Sequence, residues 1–196
     1  MNFLAHAYLS FSNDKIMVGN MISDFVKGAK KNDFENDVRQ GIMLHRAIDG
    51  FTDTHPATAE AKEIFRPHYR LYSGAIMDIL YDHFLANDET EFTQQSLYQF
   101  SINTYGILEQ HRSILPTHFL QAFTYMKADN WLYHYRTHDG MNKSLRGLVR
   151  RAAYLSESET AFQLFMEHYE KLEECYRRFF PDVKQFAKQK MNELIL

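Results

Sequence analysis

Two acidic residues recur one helical turn apart in an apolar segment, SGAIMDILYDHFLA, residues 73–86. Asp78 and Asp82 stand at i and i+4, so a helix places both carboxylates on one face, with His83 beside them. Two buried carboxylates repel each other and lose hydration, so a cation, an arginine or a proton must compensate them. A metal site meets this requirement, and so does a structural Asp–Arg pair. Both interpretations stay open from these residues alone.

A second polar set lies in GIMLHRAIDGFTDTHP, residues 41–56. His45 and Asp49, and less closely Asp53, recur at spacings of four on one predicted helical face. Imidazole and carboxylate at this spacing suit a hard or borderline divalent cation, and the planar fork of Arg46 suits a pair of phosphate oxygens. The alternative is a surface salt-bridge ladder, but the residues between them are too apolar for a fully solvated face. We favour a functional site.

Two lone polar residues lie in other apolar segments. Asp24 stands in MVGNMISDFVKG, with Lys27 three residues later, and His6 stands in the N-terminal segment. Taken alone, Asp24 is typical of a satisfied ion pair and His6 of a hydrogen-bonded core histidine. Their weight as candidate ligands comes from the two sets above.

The composition predicts one folded helical domain. The chain has 196 residues, of which 45% are apolar and 15% aromatic, enough for a packed core. Valine is rare, whereas Leu, Met, Ala, Glu, Gln and Lys are abundant. No convincing alternating strand pattern, internal repeat or flexible linker divides the sequence. We therefore predict a single all-α domain over residues 1–196.

Hydrophobic periodicity predicts where the helices lie. They run roughly over 14–27, 34–53, 57–65, 71–86, 91–112, 117–127 and 143–155. The clearest pattern is an aromatic stripe from Phe162 to Phe179, which predicts one long helix that Pro181 ends or kinks. Residues 186–196 predict a last short helix.

Charge and cysteine usage exclude several classes of protein. A net charge of −3 argues against a general nucleic-acid binder. The lone Cys175 forms no internal disulfide and no cysteine zinc site, which favours a reducing cytoplasm. No window approaches the roughly 18–20 apolar residues of a membrane span, and the start lacks the features of a signal peptide. We expect a cytoplasmic protein with no nucleic-acid or membrane partner and of undetermined oligomeric state.

Four basic residues, Lys143, Arg146, Arg150 and Arg151, fall largely on one face of a predicted helix. A solvated helix face is the plain interpretation. Because the protein is otherwise acidic, a docking patch for an acidic partner is the alternative.

Five blocks of the sequence resemble the bacterial acyl carrier protein phosphodiesterases. They are MNFLAHAYLS, GNMISDFVKG, GIMLHRAIDGFTDTHP, DILYDHFLA and MKADNWLYHYRTHDGMNKSLRGLVRR, which follow one another from residue 1 to about 151. LHRAIDGFTDTHP is long enough to be specific, so the chain is identified as a member of this family. The resemblance implies an HD-domain-like helical bundle, from an unusual branch of the HD phosphohydrolases.

The resemblance also implies an activity. Members remove 4′-phosphopantetheine from holo acyl carrier protein by hydrolysing the phosphodiester to the carrier serine, with a divalent metal. Manganese is the expected ion, with magnesium or iron(II) as alternatives. Two other functions stay open: a metal-dependent hydrolase of a small nucleotide or other phosphate ester, and a non-enzymatic helical interaction protein. The expected partner is the acidic acyl carrier protein.

The candidate residues receive roles on this basis. We expect Arg46 or Lys27 to hold a phosphate oxygen. The predicted docking patch is the four basic residues given above. The predicted catalytic residues are Asp49, His83 and His55, either histidine serving as the acid that protonates the departing serine oxygen. The predicted metal ligands are His6, Asp24, His45, Asp78 and Asp82. We predict that Asp24, His45, Asp78 and Asp82 converge on one polar pocket from three separate helices.

Overall fold

The computed structural model describes residues 1–195, and every regular element within them is helical. The all-α prediction is therefore confirmed. Buried apolar side chains from the N-terminal to the C-terminal helices form one hydrophobic cluster. No helix of this range combines the length and the apolarity needed to cross a membrane.

The α-helices of residues 1–195 are α1 (Phe3–Tyr8), α2 (Asp14–Ile22), α3 (Asn36–Thr54), α4 (Pro56–Tyr69), α5 (Ser73–Asn87), α6 (Gln94–Gln110), α7 (Thr117–Ala128), α8 (Trp131–His134), α9 (His138–Arg151), α10 (Glu159–Glu167) and α11 (Tyr169–Ile195). Short 3-10 helices run over Ser23–Phe25, Gly28–Asp33, Arg70–Tyr72 and Arg112–Ile114.

Two predicted helix boundaries need correction near the candidate site. The helix predicted over 14–27 ends at Ile22, and a 3-10 turn follows that carries Asp24. The helix predicted over 143–155 is α9, which begins at His138 and ends at Arg151. Thr137 caps its start, because the Oγ1 atom accepts a hydrogen bond from the Gly140 N–H at 3.0 Å.

The C-terminal prediction is wrong in two respects. The aromatic stripe from Phe162 to Phe179 lies on two helices, since the chain leaves the helical path at His168 between α10 and α11. Pro181 lies inside α11, so the end predicted there is wrong, while the kink stays a prediction. Because Pro181 is exposed, water can hydrate the carbonyl that loses its helical partner. The predicted last helix is part of α11, and Leu196 lies outside the described residues.

Two glycines allow α2 and α3 to pack backbone against backbone. A Cβ atom on Gly19 would stand 2.0 Å from the Val38 carbonyl oxygen, and one on Gly41 would stand 2.1 Å from the Ile16 carbonyl oxygen. Only residues without a Cβ fit at this separation. The close packing brings the end of α2 next to the part of α3 that carries His45 and Asp49.

Asp82 fixes α1 on α5. The Leu4 and Ala5 backbone N–H groups donate to its carboxylate oxygens at 2.7 and 3.1 Å. The first N–H groups of a helix have no partner within the helix, and a buried carboxylate satisfies them. This contact holds His6, on the same short helix, against α3.

Candidate functional site

Asp49 of α3 lies at the centre of a group of polar side chains. Its Oδ1 atom is 3.1 Å from His6 Nε2 and 3.0 Å from the Met1 amino nitrogen, and its Oδ2 atom is 3.1 Å from His45 Nε2. The Met1 amino group also lies 2.9 Å from Asp78 Oδ1. We call the side chains of His6, Asp24, His45, Asp49 and Asp78 the His–Asp cluster.

His45 is held by a backbone carbonyl on one side and faces carboxylates on the other. Its Nδ1 atom donates to the Asn20 carbonyl oxygen at 2.7 Å, and its Nε2 atom lies 3.1 Å from Asp24 Oδ1 and from Asp49 Oδ2. Burial alone would lower the pKa of His45, but the hydrogen bonds to Asp24 and Asp49 raise it to about 9. The ring is therefore fixed with Nε2 turned towards negative charge.

His6 stacks on His45 and supplies a second imidazole. The ring centroids are 3.8 Å apart and the planes differ by 15°. Burial and the neighbouring His45 lower the pKa of His6 to about 4, so its ring is neutral at pH 7. His6 Nε2 lies 3.1 Å from the Met1 carbonyl oxygen, whereas the buried Nδ1 has no hydrogen-bond partner among residues 1–195.

The acidic and basic groups of the cluster shift one another's pKa values. Partial burial would raise the pKa of Asp49, but hydrogen bonds from His45 and His6 hold it well below its usual range. The hydrogen bond from His45 likewise lowers the pKa of Asp24, whose side chain is 71% exposed. Burial would lower the pKa of the Met1 amino group, yet Asp78 and Asp49 raise it to about 11. Burial raises the pKa of Asp78, against the effect of the Met1 amino group. The three carboxyl groups therefore meet one ammonium group, a His45 ring whose raised pKa favours the protonated form, and a neutral His6.

This donor set fits a divalent cation. His6, His45 and Asp49 each offer one ligand atom, and these three atoms lie within 4.8 Å of one another. Two imidazole nitrogens and a carboxylate oxygen suit hard or borderline divalent ions. His6 is already neutral at pH 7, and His45 would release its proton when an ion binds. The Asn20 carbonyl oxygen accepts a hydrogen bond from His45 Nδ1 and so orients the ring. Metal-binding histidines are commonly oriented in this way by a hydrogen bond from the second ring nitrogen.

The structure separates Asp82 from Asp78. Asp78 contacts the Met1 amino group, and its side chain is 38% exposed. Asp82 is fully buried, and both of its oxygens accept backbone hydrogen bonds from α1. Burial raises the pKa of Asp82 to about 7. Of the four residues predicted to converge, Asp24, His45 and Asp78 share the cluster, whereas the Asp82 oxygens face the α1 backbone.

Neither histidine predicted as the acid contacts the cluster. His83 is buried, with Nδ1 2.7 Å from the Tyr135 carbonyl oxygen and Nε2 3.2 Å from the Tyr169 hydroxyl. His55 ends α3, where its Nδ1 accepts from the Ala57 N–H at 3.2 Å and its Nε2 lies 3.2 Å from Asp182 Oδ2. These positions do not fit the role predicted for them, because their ring nitrogens contact groups outside the cluster.

The predicted phosphate-binding residues lie on the exposed side of this region. Arg46 follows His45 on α3, and one of its guanidinium nitrogens donates to the Val26 carbonyl oxygen at 2.9 Å. Lys27 is the next residue after Val26 and is exposed. Arg46 is therefore bonded to the segment that carries Asp24, and Lys27 belongs to that segment.

The basic residues of α9 border a cavity of about 370 Å³. Lys143, Arg150 and Arg151 line it, together with the aromatic Trp131 and Tyr135. Lys143 pairs with Asp139 at 2.8 Å, and Arg146 is exposed on the same helix. Asn2 and Phe3, which directly follow Met1, also line the cavity. It therefore adjoins the chain segment that reaches the cluster.

Sequence reasoning missed two contributors to the site. The Met1 amino group and the Asn20 carbonyl oxygen are backbone atoms, and backbone atoms carry no residue-type signal. The side chain of Asn20 also contributes, because its Nδ2 donates to the His6 carbonyl oxygen at 2.9 Å. A lone asparagine in an apolar segment was a weak sequence signal for this contact. One residue thus links the elements that carry both histidines.

Comparisons with known proteins agree with the resemblance found in the sequence blocks. The family model described as acyl carrier protein phosphodiesterase matches residues 1–183. Curated proteins of that name from Photorhabdus laumondii and Enterobacter sp. (strain 638) are each 32% identical to this chain over 191 residues. Both matches cover 97% of this chain; they cover 96% of the Photorhabdus protein and 99% of the Enterobacter protein. One from Yersinia pestis is 31% identical over 191 residues, 97% of this chain and 99% of its own. No solved structure matches significantly.

Proposed function

Because the chain belongs to the acyl carrier protein phosphodiesterase family, we propose that it hydrolyses the phosphodiester between 4′-phosphopantetheine and the serine of holo acyl carrier protein. Water adds to phosphorus, the bond to the serine oxygen breaks, and apo carrier protein and 4′-phosphopantetheine are released. The observation that carries the proposal is the His–Asp cluster, two buried imidazoles among carboxylates with an exposed Asp24 at its edge. One domain made of the whole chain performs this reaction in the cytoplasm.

The cluster is the proposed metal site. His6, His45 and Asp49 would hold one divalent ion, with Asp24 and Asp78 as further carboxylates beside it. Such an ion supplies an acidified water molecule and screens the charge of the phosphodiester. Mixed nitrogen and oxygen donors are compatible with manganese, with magnesium or iron(II) as the alternatives. Asp49 thus serves as a ligand in addition to the catalytic role predicted from sequence.

Asp82 has a positioning role in this proposal. Both of its oxygens accept hydrogen bonds from Leu4 and Ala5, which leaves the carboxylate turned towards α1. These bonds hold α1 in place, and α1 carries His6. Asp82 therefore acts on the site through His6, without binding the ion itself.

The remaining polar groups bind the substrate and exchange protons with it. Arg46 and Lys27, next to Asp24, hold the non-bridging phosphate oxygens. Asp24 stays ionised, since the hydrogen bond from His45 lowers its pKa, and its carboxylate orients the attacking water at the exposed edge. With His55 and His83 outside the cluster, the departing serine oxygen takes its proton from solvent water on that side.

The basic face of α9 is the proposed contact for the acidic carrier protein. Lys143, Arg146, Arg150 and Arg151 present positive charge next to the cavity that Asn2 and Phe3 line. Charge complementarity of this kind acts mostly on the rate of encounter.

Mass spectrometry of holo carrier protein incubated with the purified enzyme tests the substrate. We expect conversion of the holo to the apo mass together with release of 4′-phosphopantetheine, and much slower hydrolysis of an aryl phosphodiester. His45→Ala is the matched inactive variant. Equal or faster hydrolysis of nucleotides and aryl esters would favour a small phosphate ester as the substrate, and no hydrolysis of any ester would favour an interaction protein.

A further inference from the structure

The turn between α4 and α5 presents an apolar side chain to solvent. The Leu71 side chain is 97% exposed, on the 3-10 helix Arg70–Tyr72. Arg70 has a φ of +47°, a conformation that residues with a Cβ rarely adopt. The buried Ser73 holds this turn, because its Oγ donates to the Arg70 carbonyl oxygen at 2.8 Å. The fold therefore imposes the conformation that displays Leu71.

Leu71 lies in a shallow cleft whose rim is basic. The cleft encloses about 580 Å³, and Lys62, Arg66 and Arg70 line it against a single carboxylate, Asp53. Lys62 pairs with Asp53 at 2.7 Å and Arg66 pairs with Glu63 at 2.8 Å. Arg70 makes no salt bridge within residues 1–195. With Lys62 and Arg66 each paired to a carboxylate, Arg70 gives the cleft one uncompensated positive charge beside the exposed Leu71, in a protein whose net charge is −3.

The cleft lies one helical turn from the His–Asp cluster along two helices. Asp53 follows Asp49 by one turn of α3, and Gly74 of the cleft precedes Asp78 by one turn of α5. Four residues correspond to about 6 Å along a helix axis. A protein that brings a side-chain phosphodiester to the cluster must rest on surfaces at this distance.

We infer that this cleft docks the substrate protein, with Leu71 inserted into an apolar recess of that partner. The inference rests on the proposed function, which supplies an acidic protein as the partner. Acidic side chains of the partner pair with Arg66 and Arg70, and Leu71 is the anchor, since a few central residues carry most of the affinity of an interface. This contact is separate from the basic face of α9.

Steady-state kinetics with Leu71→Ser and Arg66→Glu tests the docking surface. Both side chains are exposed, so the fold does not depend on them. We expect each variant to raise KM for holo carrier protein at least about fivefold, as for a residue central to an interface. The kcat/KM for an aryl phosphodiester stays at the wild-type value. Fluorescence anisotropy with labelled apo carrier protein measures the same loss in Kd without any reaction.

Matched controls come from exposed residues that do not line the cleft. Tyr154 is 90% exposed, so Tyr154→Ser removes a comparable apolar side chain. Arg177 pairs with Glu173 one turn away, as Arg66 does with Glu63, so Arg177→Glu makes the same charge change on α11. Both controls keep the wild-type KM and Kd.

Three results would overturn the inference. If Leu71→Ser and Arg66→Glu kept the wild-type KM and Kd, the cleft would not be the docking surface. The proposed function would still stand in that case, provided that the wild-type protein hydrolyses holo carrier protein. Equal losses with the aryl phosphodiester would assign the residues to the site itself. A wild-type dimer that Leu71→Ser converts to monomers, measured by sedimentation velocity, would assign Leu71 to a second copy of this chain. If wild-type protein hydrolysed no holo carrier protein, the proposed function would fail first.

Discussion

His45 Nε2 lies 3.1 Å from Asp49 Oδ2, one helical turn further along α3. The other ring nitrogen of His45 donates to the Asn20 carbonyl oxygen of α2 at 2.7 Å. The imidazole therefore cannot rotate away from the carboxylate without losing a buried hydrogen bond. The packing of α2 on α3 and the chemistry of the His–Asp cluster are thus coupled through one ring.

This coupling predicts a large effect of Gly41→Ala on stability. The new Cβ would stand 2.1 Å from the Ile16 carbonyl oxygen, which forces α2 and α3 apart. We expect the free energy of unfolding in urea to fall by about 3 kcal/mol or more. Gly50→Ala is the control on the same helix, since its added Cβ would meet no described atom within 4 Å beyond its chain neighbours and the local backbone of α3. That control should change stability by no more than about 1 kcal/mol, and in the favourable direction. Similar stabilities for both variants would contradict the close packing.

The structure also predicts how stability depends on pH through His83. Burial lowers the pKa of His83 to about 4, whereas an unfolded histidine titrates near 6.5. Between these values the unfolded chain binds more protons, so this residue lowers the free energy of unfolding as the pH falls from 6.5 to 4. The loss relative to His83→Gln is on the order of 3 kcal/mol at pH 4.

Urea unfolding of both proteins across this pH range measures the difference. His118→Gln removes an exposed histidine and should keep the wild-type dependence. Parallel curves for wild type and His83→Gln would show that His83 is not held neutral in the folded protein. Turnover near pH 7 should fall little in His83→Gln, because the ring does not contact the cluster.

Some of this arrangement could be read from the sequence, because a helix converts spacing into direction. The i and i+4 spacing of His45 and Asp49 predicted their shared face, and the resemblance strengthened the case for His6. The same rule put Asp78 and Asp82 on one face, but it could not show that the Asp82 carboxylate faces unpaired N–H groups of α1. Those donors are backbone atoms, which every residue except proline carries.

The C-terminal helices show a second limit of sequence reasoning. The aromatic spacing continues across His168, where no glycine or proline marks the interruption between α10 and α11. Pro181 predicted an end or a kink, but α11 continues through this residue, because the exposed side of the helix tolerates a proline. The hydrophobic period identified the buried face correctly, while the interruption depends on tertiary packing that local residue types do not encode.

The basic face of α9 leads to a kinetic prediction. Reversing Arg146 and Arg150 together to Glu should raise KM for holo carrier protein about three- to tenfold, because exposed charges of this kind mainly change encounter rates. Raising the salt concentration should have the same effect on the wild type, since screening acts beyond about 8–10 Å at physiological ionic strength. Hydrolysis of a small phosphodiester should not change.

A double reversal elsewhere is the control for that prediction. Arg177→Glu with Lys188→Glu makes the same charge change on α11, and KM for holo carrier protein should stay at the wild-type value. If both substrates lost turnover equally in the α9 variant, the arginines would belong to the fold or to the active site. If turnover of neither substrate changed in the α9 variant, the basic residues of α9 would form only a solvated helix face.

The central claim is that the His–Asp cluster binds the metal ion on which hydrolysis of the carrier phosphodiester depends. The most direct test measures the release of 4′-phosphopantetheine from holo carrier protein while metal-stripped enzyme is titrated with Mn²⁺. It compares the wild type with Asp49→Asn and Asp53→Asn. We predict that Mn²⁺ restores activity to wild type and to Asp53→Asn, and that Asp49→Asn loses at least about 100-fold in kcat/KM at every Mn²⁺ concentration while remaining folded. Full activity of metal-stripped wild type, or wild-type Mn²⁺ dependence in Asp49→Asn, would contradict the claim.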